Sequence, residues 1–183
     1  DGVEPTNQLF KCTVKDGDPP VECTTLDQRM TVPRSGHELF CLEEDDTGAC
    51  TKVVIAGGYG AGKKEVADLY DPKGGVIAPL DRIDDGGEVG GWTWTRVGDT
   101  IISVGGTTGA LGDPPDVPPM RVTIEGTTID IEPLVLDDIE DKTALRLFPA
   151  VEKAGDDAVL VSGGLDADNN ATTRVAPEVH EAM

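Results

Sequence analysis

The sequence predicts an all-β fold of short antiparallel strands in repeated units of four, the arrangement of a β-propeller blade. Three observations lead to this prediction. An apolar run followed by Gly-Gly occurs three times, in KVVIAGG (52–58), TIISVGG (100–106) and AVLVSGG (158–164). The 183 residues include 23 Gly and 13 Pro, which supply the turns that short strands need. No segment has the apolar period of a helix, and units of about 50 residues with four strands are typical of propeller blades.

The first element is a predicted hairpin with strands at 7–14 and 20–26. A two-residue turn at Gly17-Asp18 places Cys12 opposite Cys23. Opposed residues of antiparallel strands lie about 4.5–5.5 Å apart at Cα, within reach of a disulfide. These strands are the third and fourth of an incomplete unit over 1–33, and they can also complete the last unit of the chain.

The other two cysteines bracket a second predicted turn. A turn centred on Asp45-Asp46 places Cys41 opposite Cys50. The sequence therefore predicts the disulfides Cys12–Cys23 and Cys41–Cys50, with four free buried thiols as the alternative. No CxxC pair or histidine spacing indicates a zinc site. Disulfides indicate an extracytoplasmic location, which is the periplasm, the cell surface or outside the cell.

The segment PRSGHELFCLEEDDTGACTKVVIAGGYGAGKKEVADLYDP resembles a kelch repeat, and defines a unit over 34–82. The residues that carry the resemblance are Arg34, Gly36, His37, Gly57, Gly58, Tyr70, Asp71 and Pro72. The resemblance implies a kelch-like β-propeller, of the galactose-oxidase-like class, in a bacterial secreted or surface protein. It also implies that His37 has a structural role, in which it hydrogen-bonds the backbone between strands.

Two further units follow, with partial resemblance. The unit 83–140 contains Gly105 and Gly106 but has WTWTRVGD where the Arg-x-Gly-His start is expected. The unit 141–183 contains Gly163 and Gly164 and supplies a first, second and third strand only. Closed propellers have about four to eight blades. We therefore expect an incomplete ring, which belongs to a longer polypeptide or is closed by another chain.

The first Gly-Gly also begins a sequence close to a phosphate-binding loop. In KVVIAGGYGAGKKE, Gly57 is followed by Gly62 and Lys63, but Lys64 stands where a Ser or Thr must reach Mg²⁺. The other two copies lack Gly-Lys, and EVADLYDP indicates a loop and strand rather than a helix. We expect no nucleotide site.

The formal net charge of −20 constrains the partners. Such a surface repels nucleic acid and anionic lipid, and no apolar run is long enough for a membrane helix. The acidic clusters indicate a solvated surface, with an acidic docking patch as the alternative. We expect a protein partner or additional blades, and a glycan is the other candidate ligand.

Catalytic and metal-binding patterns are few. The two histidines, His37 and His180, lie beside no nucleophile motif, and with Tyr59 and Tyr70 they do not make a complete copper oxidase site. The alternating residues Asp166, Asp168 and Asn170 resemble the start of a calcium loop. Ala171 stands where such a loop needs Gly, and Pro177 where it needs Glu, so an acidic surface loop is the favoured interpretation over a Ca²⁺ site. We expect no cofactor.

Two features indicate binding. The proline-rich loop DPPDVPP has little conformational entropy to lose on binding, which makes it a candidate contact loop. Its candidate contact residues are Asp113, Pro114, Pro115, Asp116, Pro118 and Pro119. Trp92 and Trp94 lie on one side of a strand, and packing between blades is favoured over an exposed sugar-stacking pair.

The sequence therefore predicts a non-catalytic binding or scaffold module that recognises protein, or glycan, through propeller loops. One alternative is part of a glycan-active or oxidase-type propeller enzyme whose catalytic residues lie outside this segment. Another is a structural subunit of a larger extracytoplasmic assembly.

Overall fold

The computed structural model describes residues 6–18, 20–60, 67–82, 89–110, 113–134, 147–153, 158–166, 168, 170–171 and 179–180. In these residues the chain forms fifteen β-strands and no helix. The strands are β1 Thr6–Val14, β2 Val21–Ser35, β3 Glu38–Glu44, β4 Cys50–Ala56, β5 Tyr59–Gly60, β6 Ala67–Asp71, β7 Val76–Pro79, β8 Asp81–Arg82, β9 Gly90–Val97, β10 Thr100–Thr107, β11 Met120–Glu125, β12 Thr128–Pro133, β13 Ala150–Lys153, β14 Ala158–Ser162 and β15 Val179–His180. A search of this part of the chain for an apolar helix of membrane-spanning length finds none.

Two four-stranded antiparallel meanders form the centre of the molecule. The first sheet has the order β3-β4-β6-β7. The second sheet has the order β9-β10-β11-β12, and β8 extends it by pairing parallel to β12. The third sheet has three described strands in the order β13-β14-β15. Within each meander a strand pairs with the next one along the chain, except that β5 pairs with β2; β8, from the predicted unit 34–82, crosses to the second sheet.

The N-terminal hairpin forms a fourth layer. β2 pairs antiparallel with β1 along its length and with β5 at Arg34 and Ser35. β2 runs further than the sequence predicts, to Ser35 rather than to residue 26. β1 and β2 belong to a sheet with β5 and not to the β13-β14-β15 sheet, so the hairpin does not complete the third sheet in the described structure.

The two disulfides join Cys12 to Cys23 and Cys41 to Cys50. Cys12 is directly opposite Cys23, in the register that the predicted turn gives. The register predicted for the second hairpin is wrong, because Cys41 pairs with Val53 and Cys50 with Glu44. The two cysteines nevertheless lie 5.7 Å apart at Cα, close enough for a disulfide across an irregular part of the ladder.

The second hairpin differs because its turn is centred on Thr47 rather than on Asp45-Asp46. The backbone N–H of Asp45 donates to the carbonyl of Ala49, and Gly48 takes a positive φ of 78°. The Asp45 carboxylate accepts hydrogen bonds from the backbone N–H groups of Thr47 and Ala49. The Lys73 ammonium donates to the other oxygen of Asp45, and this bond, followed by those from Thr47 and Ala49, lowers the pKa of the carboxyl group.

The four layers bury three apolar clusters. Leu9, Met30 and Ile55 pack between the hairpin and the first sheet. The largest cluster lies between the first and second sheets, and its residues are Val54, Ala56, Ala67, Leu80, Trp92, Trp94, Ile101, Val122, Ile129 and Ile131. Val97, Ile102, Val104 and Val161 pack between the second and third sheets. Neighbouring residues of one strand face different clusters, as Val54 and Ile55 do on β4 and Ile101 and Ile102 on β10, so the second strand of each central sheet is buried on both faces.

The first strands of the three sheets lie beside each other. β9 contacts β3 on one side and β13 on the other. Polar contacts link the layers: Arg96 Nη1 donates to the carbonyls of Cys41 at 3.0 Å and Leu42 at 2.8 Å. Thr93 Oγ1 donates to the carbonyl of Pro149 at 2.7 Å. The second sheet is therefore tied to both neighbours through its first strand.

Candidate functional site

The double glycines end the second strands at the same end of the three sheets. All six glycines take positive φ, from 65° at Gly163 to 105° at Gly106. In each sheet the second glycine lies against a backbone carbonyl that is at, or a few residues before, the start of the first strand. These carbonyls belong to Ser35, Gly90 and Leu147. A Cβ at Gly58 would lie 2.4 Å from the Ser35 oxygen, and one at Gly164 would lie 2.7 Å from the Leu147 oxygen. Glycine is needed there because the backbones touch.

The residue after that carbonyl is also left-handed in each sheet. Gly36 has a φ of 65°, Gly91 of 77° and Phe148 of 51°. Phe148 is the one non-glycine residue of the described chain with positive φ. Its ring lies over the two equivalent glycines, 3.4 Å and 3.5 Å from the positions that their Cβ atoms would take. The three sheets thus share a common element, and in the third copy an aromatic side chain covers the other two.

A buried ion pair supports the first double glycine. Arg34 Nη2 lies 3.3 Å from Asp68 Oδ2, and both side chains are almost fully buried. Thr31 Oγ1 donates to the other Asp68 oxygen at 2.5 Å, and Arg34 Nη1 donates to the Gly57 carbonyl at 3.4 Å. The cluster joins β2 to β6, and both of its charged side chains lie in the interior.

His37 lies next to this cluster. Burial lowers its pKa, as does the neighbouring Arg34 guanidinium, whereas the backbone of Arg34 and the Asp68 carboxylate act in the opposite direction. The lowered pKa favours the neutral imidazole, and its buried Nδ1 has no hydrogen-bond partner among the described residues. The other histidine, His180, lies on β15, but its side chain is outside the described residues.

The proline-rich loop between β10 and β11 is held at both ends. Asp116 Oδ1 and Oδ2 accept from the backbone N–H of Thr108 at 2.8 Å and from its hydroxyl at 2.5 Å. The backbone N–H groups of Asp116 and Val117 donate to the carbonyl of Gly106 at 3.2 and 3.3 Å. Asp113 Oδ2 accepts from the N–H of Ala110. The loop is thus anchored to the second double glycine.

Exposure alternates along this loop. Pro115, Val117 and Pro119 are buried, and the intervening residues Asp113, Pro114, Asp116 and Pro118 are exposed. The buried residues fix the path of the chain, and the exposed ones form a row of two carboxylates and two proline rings. Such a surface can contact a partner without first being ordered.

The candidate calcium loop uses a carboxylate for its own turn. Asp166 Oδ1 accepts from the backbone N–H groups of Asp168 and Asn170, each at 2.9 Å. Among the described residues no group of three or more acidic, histidine or cysteine side chains could hold a metal ion. Lys63, Lys64 and Pro177, on which the nucleotide and calcium arguments depend, lie outside the described residues.

A shallow groove of about 200 Å³ lies on the outer strands of the second sheet. Its lining residues are Thr123, Glu125, Thr128, Asp130 and Glu132. They occupy the sheet face opposite Val122, Ile129 and Ile131. The groove offers carboxylates and hydroxyls, and its lining contains no histidine or thiol.

Trp92 and Trp94 are core residues. They are 1% and 2% exposed, and their rings meet edge to face with centroids 5.3 Å apart. Both pack between the first and second sheets, which is the favoured interpretation of the sequence. They are not available for stacking on a sugar.

Comparison with models of protein families finds no match. Comparison with curated proteins also finds none. The kelch resemblance therefore depends on the residues of this chain alone.

Proposed function

We propose that this protein is a non-catalytic binding module built as a segment of a kelch-like β-propeller. Its consecutive four-stranded meanders, stacked face to face with their first strands together, support this architecture. Disulfides in the first two hairpins support an extracytoplasmic location. In such a propeller, further blades cover the outer faces of the hairpin and of the third sheet.

The observation that carries the proposal is the anchored loop 113–119. Its buried residues fix it to the body, and Asp113, Pro114 and Pro118 face outward. Proline and short hydrogen-bonded turns reduce the entropy lost on binding. The carboxylates and the net charge of −20 favour a partner with a basic surface. The loop is thus the surface on which we expect protein recognition.

Site-specific photo-cross-linking tests this proposal. A photoreactive residue placed at Pro114 or Pro118 in the full chain is exposed to extract from the native source. The matched control is Thr127, which is also exposed but lies in the turn at the opposite end of β11. We expect a discrete adduct from the loop positions that excess unmodified protein suppresses and that weakens as salt is raised. Equal cross-linking at Thr127, or none at either loop position, contradicts the proposal.

The two alternatives give other results. A glycan-active enzyme requires a pair of carboxylates placed around a sugar, and the acidic groove on the second sheet is the surface to test with oligosaccharides. A structural subunit gives adducts from the outer faces of the end layers rather than from the loop. Neither alternative has support from a described contact comparable to the anchoring of the loop.

A further inference from the structure

The N-terminal hairpin extends beyond the body of the protein. We define the arm as residues 10–14 of β1 and 21–25 of β2. Every residue of the arm is exposed, on both faces, whereas Leu9 and Met30 at its base are buried against the first sheet. A two-stranded ribbon is barely stable in water by itself, and the Cys12–Cys23 disulfide holds this one together.

One face of the arm is apolar. Phe10, Val14 and Val21 are 57%, 80% and 45% exposed, and they are three of the six large hydrophobic side chains exposed in the described chain. The pairing of β1 with β2 places all three on the face that carries the disulfide. An exposed apolar group of this kind on a projecting strand pair marks an interaction surface.

The free edge of β1 adds backbone donors and acceptors. β1 is the edge strand of its sheet in the described structure. The N–H of Lys15 donates to the carbonyl of Pro20, and hydrogen-bonded pairs alternate with non-bonded pairs along the hairpin. The Cα separation of 4.0 Å at Cys12–Cys23 fits a non-bonded pair. The N–H and C=O groups of Phe10, Cys12 and Val14 therefore point away from β2, toward the free edge.

We propose that a second copy of this chain docks on the arm, by antiparallel pairing of β1 with β1 about a two-fold axis at Cys12. This register places Phe10 opposite Val14 of the second copy and Lys11 opposite Thr13. Apolar residues thus meet on one face, and no like charges are opposed. The outward-facing groups of Phe10, Cys12 and Val14 all find partners.

The neighbouring registers are disfavoured by charge. A slip of two residues in one direction places Lys11 opposite Lys11 of the second copy, and a slip in the other direction places it opposite Lys15. Like charges directly opposed across strands are destabilising. The pairing centred on Cys12 is therefore the one that the sequence of β1 selects.

Charge also explains why two copies meet at this surface. Residues 6–35 carry four basic and four acidic residues, so their net charge is zero, and the remaining chain carries the whole net charge of −20. Two such molecules repel each other over most of their surface. The neutral hairpin is where they can approach, and its disulfide fixes the strand before binding.

Sedimentation of the full chain at increasing concentration tests the dimer. We expect conversion from 19.2 kDa to twice that mass. Val14→Pro removes an N–H that faces the free edge and leaves the β1–β2 hydrogen bonds in place. By symmetry it removes two intermolecular hydrogen bonds, so we expect dimerisation about 30-fold weaker. Val14→Lys should also weaken it, whereas Val76→Lys, at another exposed valine, should not.

Amide hydrogen exchange identifies the interface residue by residue. The amides of Lys11 and Thr13 should be protected at all concentrations. Those of Phe10, Cys12 and Val14 should become protected only as the dimer forms. Retention of the Cys12–Cys23 disulfide in Val14→Pro verifies that the arm is intact. A monomer at every concentration overturns the proposal, and so does a dimer that Val14→Pro leaves unchanged while these three amides exchange freely.

Discussion

Gly58→Ala tests whether the double glycine joins the sheets. The N–H of Gly58 donates to the carbonyl of Trp92 at 3.0 Å, and its carbonyl accepts from the N–H of Gly91 at 2.9 Å. These two bonds connect the first and second sheets. A Cβ on residue 58 would lie 2.4 Å from the Ser35 oxygen, and ordinary contact begins at 3.4 Å, so the backbone must move by about 1 Å.

Three terms give the size of the effect. A left-handed alanine costs about 1–2 kcal/mol, of which about 0.4–1 kcal/mol is offset by the reduced freedom of the unfolded chain. The steric overlap adds about 1–3 kcal/mol. Weakening the two hydrogen bonds adds about 1 kcal/mol each. We expect Gly58→Ala to lower the free energy of unfolding by about 3.5–6 kcal/mol.

Gly48→Ala is the matched control. Gly48 has a φ of 78°, close to the 73° of Gly58, but a Cβ there would meet nothing within 4 Å. Its cost is the left-handed conformation alone, about 0.5–1 kcal/mol after the offset. Denaturant unfolding under non-reducing conditions measures both variants. Equal losses would refute the close-approach argument, because conformational strain would then explain both.

Three further predictions concern single side chains. Phe148→Gly should be more stable than Phe148→Ala by about 1 kcal/mol in the same unfolding assay, since both lose the ring but only glycine relieves the left-handed backbone. Asp68→Asn should cost about 3–5 kcal/mol, because it leaves the buried Arg34 guanidinium uncompensated; a loss below about 1 kcal/mol would contradict the pairing. Folding lowers the pKa of His37 below 6.5, so the unfolded chain binds the proton first and stability should fall as the pH drops through 6.5. Burial raises the pKa of Glu38, so protonation of Glu38 at lower pH favours the folded state and opposes the effect of His37 on stability. The contribution of His37 is therefore measured as the part of the pH dependence that His37→Gln removes.

The repeat is readable in the sequence because its backbone conformation demands glycine. Left-handed residues that touch another backbone are almost always glycine, so Gly57-Gly58 and its two copies reveal themselves as a spaced pattern. The third copy of the other left-handed position is Phe148, and no sequence rule predicts a bulky residue there. Phe148 occupies the position in the third sheet that Gly36 and Gly91 occupy in the first and second sheets. This equivalence is evident only in the folded structure, where the three sheets are stacked.

The sequence predicts the register of one hairpin correctly and that of the other wrongly. The turn at Gly17 correctly placed Cys12 opposite Cys23, because the ladder beyond it is regular. The sequence predicts a second turn centred on Asp45-Asp46, but Asp45 caps a turn that is centred on Thr47 and has a left-handed Gly48. Side-chain capping competes with the simplest turn, and a sequence does not state which one forms.

Side-chain contacts between layers were not predicted at all. Arg34 was identified by its place in the repeat, but its partner Asp68 lies on β6 and has no distinguishing neighbours in the sequence. Arg96 and Thr93 bond backbone carbonyls of the adjacent sheets, and such acceptors exist at every residue. Only the stacking of the sheets selects which carbonyl is used.

The use of these polar residues also bears on function. Arg34, Asp68, Arg96 and Thr93 are among the polar groups that point into the layers, and each of these four holds one layer to the next. The exposed rings of Pro114 and Pro118 lie outside these layers, because the buried residues of the loop and the hydrogen bonds of Asp113 and Asp116 fix the path of the chain. A scaffold arranged in this way can change its recognition surface without altering its core. This division of roles favours binding through the loop over chemistry among the sheets.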